Sequence, residues 1–340
     1  MSAGDREILE DGAARQVWEL LARRYEDRPL SPDTSPQLDL GVDSLEWVNL
    51  TMEISERTGV EIGEEAISRI DTVRDLLREA AEASGEGGAT RRVSPLDHPE
   101  EALSDEQKRY LEPLSPLQSA AARTLFLFNR ALMKSFFNLK VEGAAGLPKE
   151  GPFVVAPNHL SYIDSFVLAA ALEARSLRRT HWAGWTGAAF GNPLTRAVSR
   201  LAQAFPIDAE RAGASSLAFG SMVLKGGKGL VWFPEGQRSA DGELQPFKPG
   251  IGMLLDRYRV PVVPVSIRGS YEAMPPGRFL PRPSGITVTF GAPLDPNDLE
   301  HEGEGEEPRD RIVSALRSRV AELGAEPPQA PAPSVGIGGG

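Results

Sequence analysis

The sequence predicts two domains of different class. An all-α, four-helix domain covers residues 1–84, and an α/β domain with a central mixed sheet covers residues 115–325. A flexible linker over 85–114 joins them, and a disordered tail closes the chain over 326–340. Three observations carry this reading. The 340 residues amount to about two domains at roughly 150 residues each. Apolar residues in the front recur at helical spacing, whereas from Phe153 short apolar runs alternate with helical stretches. The charge also changes at that boundary. Residues 1–84 hold 20 Asp and Glu against 9 Arg and no Lys, which is the whole of the net charge of −11, and the remainder is neutral.

In the front domain, Ile8, Leu9, Val17, Leu20 and Leu21 place one helix over residues 5–25. The loop RPLSPDTSPQLD follows. Helical spacing returns at Leu45, Val48, Leu50, Met52 and Ile54 and stops near Gly59, a C-cap. The segment EEAISRI and a helix over residues 72–83 complete the set. The linker contains SGEGGAT and several prolines, with no sustained period. Next, SPLQSAAARTLFLFNRALMKSFFNLKVEG is an amphipathic helix, too interrupted by Arg123, Arg130 and Lys134 to span a bilayer. Its aromatics face either the protein core or a membrane interface. The runs FVVAPN, GLVWFPEG, VPVVPVSIRG and ITVTFGAP read as strands. Helices are expected near 166–172, 193–202, 215–224, 251–258 and 310–323, and no internal repeat is present.

Several function classes drop out. With no cysteine, the chain has no disulfide, thiolate metal site or cysteine nucleophile, which fits a reducing cytoplasm. Residues 1–15 mix charged and apolar positions and do not read as a signal segment. The acidic front is unsuited to nucleic acid and suited to basic protein partners.

Two motifs carry chemistry. The first is LGVDSLEWVNL, residues 40–50. Asp43 and Glu46 have capping-box spacing, which puts Ser44 in the first turn of a helix. By itself the motif reads as a cap as readily as an attachment site. The order of acidic helix, polar loop, L-G-x-D-S-L, amphipathic helix and short closing helices resembles the acyl carrier protein family over residues 5–83. That resemblance implies a 4′-phosphopantetheine arm joined to Ser44 through a phosphodiester, and a docking face on the acidic helix behind it. A helix N-terminus tolerates the added phosphate.

The second motif is NHLSYID, residues 158–164, directly after a buried strand. His159 and Asp164 stand in H-x4-D spacing. A histidine can take a proton from a hydroxyl near neutral pH, and a carboxylate beside it can fix its tautomer. The same spacing also describes a structural histidine followed by a helix-capping aspartate. G-x-S-x-G is absent, which favours direct attack by a substrate hydroxyl. Together with AFPIDAER, FPEGQRS, PFKPG and VPVVPV, this motif resembles the glycerolipid acyltransferase family, which includes the lysophosphatidic acid acyltransferases, over residues 115–325. The resemblance implies acyl transfer from a thioester to an alcohol, with His159 as general base and Asp164 as its orienter. Glu235 and Gly236 would shape the acceptor site. Arg238 and Lys248 would bind an anionic group such as a phosphate, with Asn158 and Arg211 as further substrate-binding candidates. Two positions depart from the family pattern. Ala209 follows Asp208 where the family has Arg, so Arg211 either substitutes or is solvated, and Gln237 stands where the family has Thr.

Joined, the two halves imply an O-acyltransferase that moves a fatty acyl group to a lysophospholipid or glycerol-phosphate-type hydroxyl. The donor is a phosphopantetheine thioester, on its own carrier domain or on coenzyme A or a separate carrier. A short tether gives an effective concentration in the mM range, so weak docking suffices. No loading chemistry is encoded in this sequence. The expected partners are therefore a phosphopantetheinyl transferase, an acyl-loading ligase or fatty acid synthase, and a membrane lipid acceptor. The expected location is cytoplasmic, peripheral at the inner face of the membrane. Two other readings fit the same residues: transfer to a non-phospholipid alcohol or amine in a secondary-lipid pathway, and a non-catalytic carrier or lipid-binding scaffold.

Overall fold

A computed structural model of the protein describes residues 3–42, 44–58, 60, 62, 64–67, 69–85, 94–207, 213–278 and 280–325. The chain divides into two compact units. One is Met1–Pro113 with Trp182–Gly226, and the other is Leu114–His181 with Gly227–Gly340. Seven strands lie among the described residues: β1 Lys140–Glu142, β2 Phe153–Pro157, β3 Thr180–Trp185, β4 Ala204–Ile207, β5 Gly229–Val231, β6 Val262–Arg268 and β7 Thr287–Phe290. The sequence pattern identifies β2, β5, β6 and β7. It passes over β1, β3 and β4, which are short or lack a clean apolar run.

In the first unit the front is helical, but its described residues form five helical segments where four are expected. These are Ala3–Ile8, Gly12–Arg24, Ser44–Thr58, Glu64–Ile67 and Val73–Gly85. The extra segment arises at Asp11. Its side chain accepts from the N–H groups of Ala13 and Ala14 at 2.8 and 3.0 Å, so one helix ends and another begins where a single helix is expected. Val17, Leu20, Leu21, Trp47, Leu50, Ile54, Leu76 and Leu77 form the core of this bundle. Arg74 ties its ends together, pairing with the buried Asp5 at 2.6 Å and with Asp33 in the long loop at 2.5 Å.

Residues 94–113, expected to be flexible, are structured. They carry the short helices Pro99–Ala102 and Asp105–Lys108 and the 3-10 turn Arg109–Leu111. Ser104 and Gln107 form a reciprocal capping box, and Leu96 and Leu103 are buried. The segment is fixed within its own unit. Lys225 donates to the Asp97 carbonyl, Arg200 donates to the Glu112 carbonyl at 2.9 Å, and Tyr110 meets the Phe190 ring edge-on. Helices of four residues contain too little sequence to show a period, which is why the pattern reads as linker. Residues 86–93 of the expected linker and the expected tail 326–340 lie outside the described residues. Beside this segment β3 and β4 pair in parallel, from Trp182 opposite Ala204 to Trp185 opposite Ile207.

In the second unit five strands lie in the order β1-β7-β6-β2-β5. All neighbours are parallel except β6 and β7, so the sheet is mixed. Every residue of β2 is buried, as expected for a central parallel strand covered on both faces. The helix Pro116–Phe136 opens on a Ser115–Gln118 capping box with Pro116 in its first turn. It buries Phe126 and Met133, while Leu117, Leu127, Phe128, Leu132 and Phe136 on its other side are exposed. Of its aromatics, Phe126 therefore lies on the protein core, and Phe128 and Phe136 are exposed. Among the described residues no helix is long and apolar enough to cross a membrane.

Candidate active site

Parallel strands release their C-terminal loops at one edge of a sheet, the usual place for reactive groups in α/β folds. β2 and β5 are parallel neighbours, paired from Phe153 opposite Gly229 to Val155 opposite Val231. NHLSYID follows β2 and FPEGQRS follows β5, so the topology brings together motifs whose His159 and Glu235 are 76 residues apart.

Asp164 is the anchor of the first loop. It is fully buried and stands at the start of the helix Asp164–Ala171. Its Oδ2 accepts from Leu160 N at 2.6 Å and Ser161 N at 2.7 Å and lies 2.9 Å from His159 Nδ1. Two peptide donors compensate the buried charge and aim one oxygen at the imidazole. With Nδ1–H donated to the carboxylate, Nε2 is left with its lone pair. It makes no hydrogen bond to any described residue, and the side chain is 20% exposed. Phe233 covers the ring, with centroids 4.3 Å apart. Ser161 Oγ donates to the Met274 carbonyl at 2.6 Å and pins the middle of the loop.

The peptide of His159 is held from both sides. Its N–H donates to Glu235 Oε1 at 2.6 Å, and its carbonyl accepts from Ser239 N at 2.8 Å. Glu235 is 1% exposed, and its Oε2 accepts from Gln245 N at 2.9 Å. Burial pushes its carboxyl up to about 7, against the pull of the Gln245 and His159 N–H donors. Glu235 thus shapes the site from behind the histidine, through its backbone. Gly236 follows with φ +72°, a conformation that favours glycine, and a Cβ there would come within 3.2 Å of Lys248 Cγ. Arg238 stacks its guanidinium 3.4 Å over the Tyr162 ring centroid, and no carboxylate among the described residues pairs with it.

Asn158 is tied to the neighbouring strand. Its Oδ1 accepts from Ile267 N at 2.7 Å and its Nδ2 donates to Ile267 O at 3.0 Å, both buried. The side chain continues the β2–β6 ladder beyond Pro157, with one donor and one acceptor of its amide engaged by the strand backbone. The second block places Ala204–Ile207 on β4 in the other unit, and Asp208 to Arg211 lie outside the described residues. Ser44 is the first residue of the helix Ser44–Thr58, with Gly41 at φ +73° ahead of it. The Ser44 side chain and Asp43, half of the expected capping box, lie outside the described residues. Glu46 pairs with Arg24 at 2.7 Å. The sequence reading misses Phe233, Ser239, Gln245 and Tyr162 as parts of the site, although all but Gln245 stand inside the quoted motifs.

Two family models match segments of this chain. Residues 138–268 match the Acyltransferase family, and residues 14–79 match the phosphopantetheine attachment site. A 1-acyl-sn-glycerol-3-phosphate acyltransferase of Limnanthes douglasii is 29% identical over 167 residues, covering 47% of this chain and 56% of that protein. One from Bacillus subtilis (strain 168) is 26% identical over 185 residues, covering 54% of this chain and 87% of that protein. The crystal structure of the 1-acyl-sn-glycerophosphate (LPA) acyltransferase PlsC from Thermotoga maritima matches with a TM-score of 0.49 at 26% identity, covering 63% of this chain and 85% of that one. The chain spans from 25% to 56% of the length of the first curated relatives it matches.

Proposed function

From a chain that joins an Acyltransferase-family domain to a phosphopantetheine attachment-site domain, we propose an O-acyltransferase that moves a fatty acyl group from a phosphopantetheine thioester to the hydroxyl of a lysophospholipid or glycerol-phosphate-type acceptor. The observation that carries the reading is the His159 imidazole, with Nδ1 fixed 2.9 Å from a buried carboxylate and Nε2 unengaged at the sheet edge. His159 Nε2 takes the acceptor's hydroxyl proton as the oxygen attacks the thioester carbonyl. Asp164 holds the tautomer and stabilises the imidazolium, and the same proton passes to the departing sulfur as the C–S bond breaks. The carrier domain spans 1–84 and the catalytic domain 115–325.

The start of the 15-residue helix at Ser44 suits an attached phosphodiester, since its backbone N–H groups favour negative charge. Bound there, 4′-phosphopantetheine supplies the thiol that a cysteine-free chain lacks. Incubation with an acyl thioester and lysophosphatidate is expected to give phosphatidate. Absence of ester product from every anionic acceptor tried would overturn the reading.

Arg238 is the anion-binding group, kept available by Tyr162. A cation–π contact at a partly exposed site contributes about 0.5–1 kcal/mol. Tyr162→Leu is therefore expected to raise the acceptor KM by about 2- to 5-fold and leave kcat nearly unchanged, while Tyr162→Phe behaves as wild type. Ala209 and Gln237, where the family pattern has Arg and Thr, favour a second reading in which the acceptor is another alcohol. Comparing lysophosphatidate with uncharged acceptors in the same assay separates the two.

The protein works at a membrane surface. The helix Pro116–Phe136 presents Phe128, Leu132 and Phe136, and Phe166 is exposed on the helix that begins at Asp164. Asn129 joins the two helices by donating to the Phe166 carbonyl at 2.8 Å. Arg123, Arg130 and Lys134 add positive charge on the same helix for an anionic leaflet. Each buried large apolar side chain contributes about 1.5–3 kcal/mol. Replacing Phe128 and Leu132 together by Asp is expected to lower partition onto anionic vesicles at least about 100-fold, as measured by co-sedimentation.

A further inference from the structure

The His159 peptide is enclosed by a chain of contacts that ends on a different element, the closing helix Pro308–Gly324. Arg317 on that helix donates through Nε to the Gln245 carbonyl at 3.1 Å and through Nη2 to the Leu244 carbonyl at 2.9 Å. The Gln245 N–H donates to Glu235 Oε2, and Glu235 Oε1 accepts the His159 N–H. The Gln245 side chain closes the other half of the ring. Its Nε2 lies 3.3 Å from Ser239 Oγ and 2.9 Å from Asp241 Oδ1, and Ser239 N donates to the His159 carbonyl. A surface arginine normally takes a carboxylate. Among the described residues Arg317 pairs with none, and its donors go to two consecutive carbonyls of the segment that carries Gln245.

We propose that Arg317 is a positioning residue for acyl transfer, setting the placement of His159 through Gln245 and Glu235. The inference rests on the acyl-transfer reading above and adds to it a residue outside every quoted motif. Its effect has an electrostatic component with a definite sign. Glu235 faces Asp164 at the start of its helix, whose negative charge raises the Glu235 carboxyl, and Arg317 on the closing helix, whose positive charge lowers it. His159 faces it from the β2 loop, and Lys248 lies beside Gly236 at the entry to the helix Pro249–Tyr258. Removing the Arg317 charge therefore raises the pH at which Glu235 ionises, while the loss of its hydrogen bonds frees the 244–245 segment.

The test compares Arg317→Met and Arg317→Lys with wild type in the full-length holo-protein. Arg317→Met is expected to lower kcat roughly 10- to 100-fold, as small misplacements of a catalytic group do. KM should stay within about 2-fold of wild type, and the acid limb of the pH–rate profile should move to higher pH. Arg317→Lys retains the charge and should restore the limb. NMR titration gives a readout that does not depend on turnover. The Glu235 carboxyl midpoint should move up in Arg317→Met, with a changed His159 amide shift. A uniform loss of rate at every pH, or an unmoved Glu235 midpoint, overturns the proposal. A moved midpoint in a protein that transfers no acyl group upholds the relay and sinks the acyl-transfer reading instead.

Discussion

Replacing His159 by alanine is expected to lower kcat/KM for acyl transfer by roughly 10²–10⁴-fold, the usual contribution of a positioned general base. The effect should fall on kcat, because a general base acts on the hydroxyl proton in the transition state and is not needed to bind either substrate. Asp164→Asn should fall short of this loss but exceed a simple hydrogen-bond deletion. An amide can place its NH₂ against Nδ1 and so select the wrong tautomer, and it sits where Oδ2 now accepts from Leu160 N and Ser161 N. Circular dichroism should show His159→Ala folded, since the side chain is partly exposed and its backbone bonds to Glu235 and Ser239 remain. Steady-state kinetics with a thioester donor and lysophosphatidate checks both variants.

The second large effect is on the donor side. Ser44→Ala is expected to abolish transfer of any acyl group that must first be loaded on the carrier domain, and free acyl-coenzyme A should restore turnover. Intact-mass measurement of protein from a host with a phosphopantetheinyl transferase should show the arm on the wild type and not on the variant. Equal turnover of both proteins with every donor would remove the carrier from the reaction.

The five-residue spacing of His159 and Asp164 is legible in the sequence because its residues are contiguous and follow a strand whose apolar run is unmistakable. The major helices of the α/β region and its mixed sheet are legible for the same reason. What escapes is of three kinds. Local restarts are invisible when one side chain causes them, as Asp11 does before Gly12. Four-residue helices, such as those in 94–113, are too short for a period, and their burial of Leu96 and Leu103 depends on residues far away in sequence. Roles that run through the backbone leave no residue-type signature. Asn158 beside His159 reads as a ligand contact, and in the fold the end of a buried strand engages both its amide oxygen and its amide nitrogen. Glu235 looks like an acceptor contact, yet it binds two peptide N–H groups behind the site. Gln245 takes part in that network through its own peptide N–H and carbonyl, and the Arg317 guanidinium reaches only main-chain carbonyls, groups that any residue possesses.

The central claim is that one acyl group passes from the arm on Ser44 to an alcohol at His159 of the same chain. Single-turnover discharge of acyl-loaded protein tests it most directly. Holo-protein carrying a labelled acyl group on the arm is mixed with lysophosphatidate, and label loss is followed by intact mass over a range of protein dilutions. The account predicts first-order discharge whose rate does not change with protein concentration, together with a loaded His159→Ala protein that keeps its label. Discharge proportional to protein concentration, or a loaded His159→Ala protein that empties as fast as wild type, would contradict it.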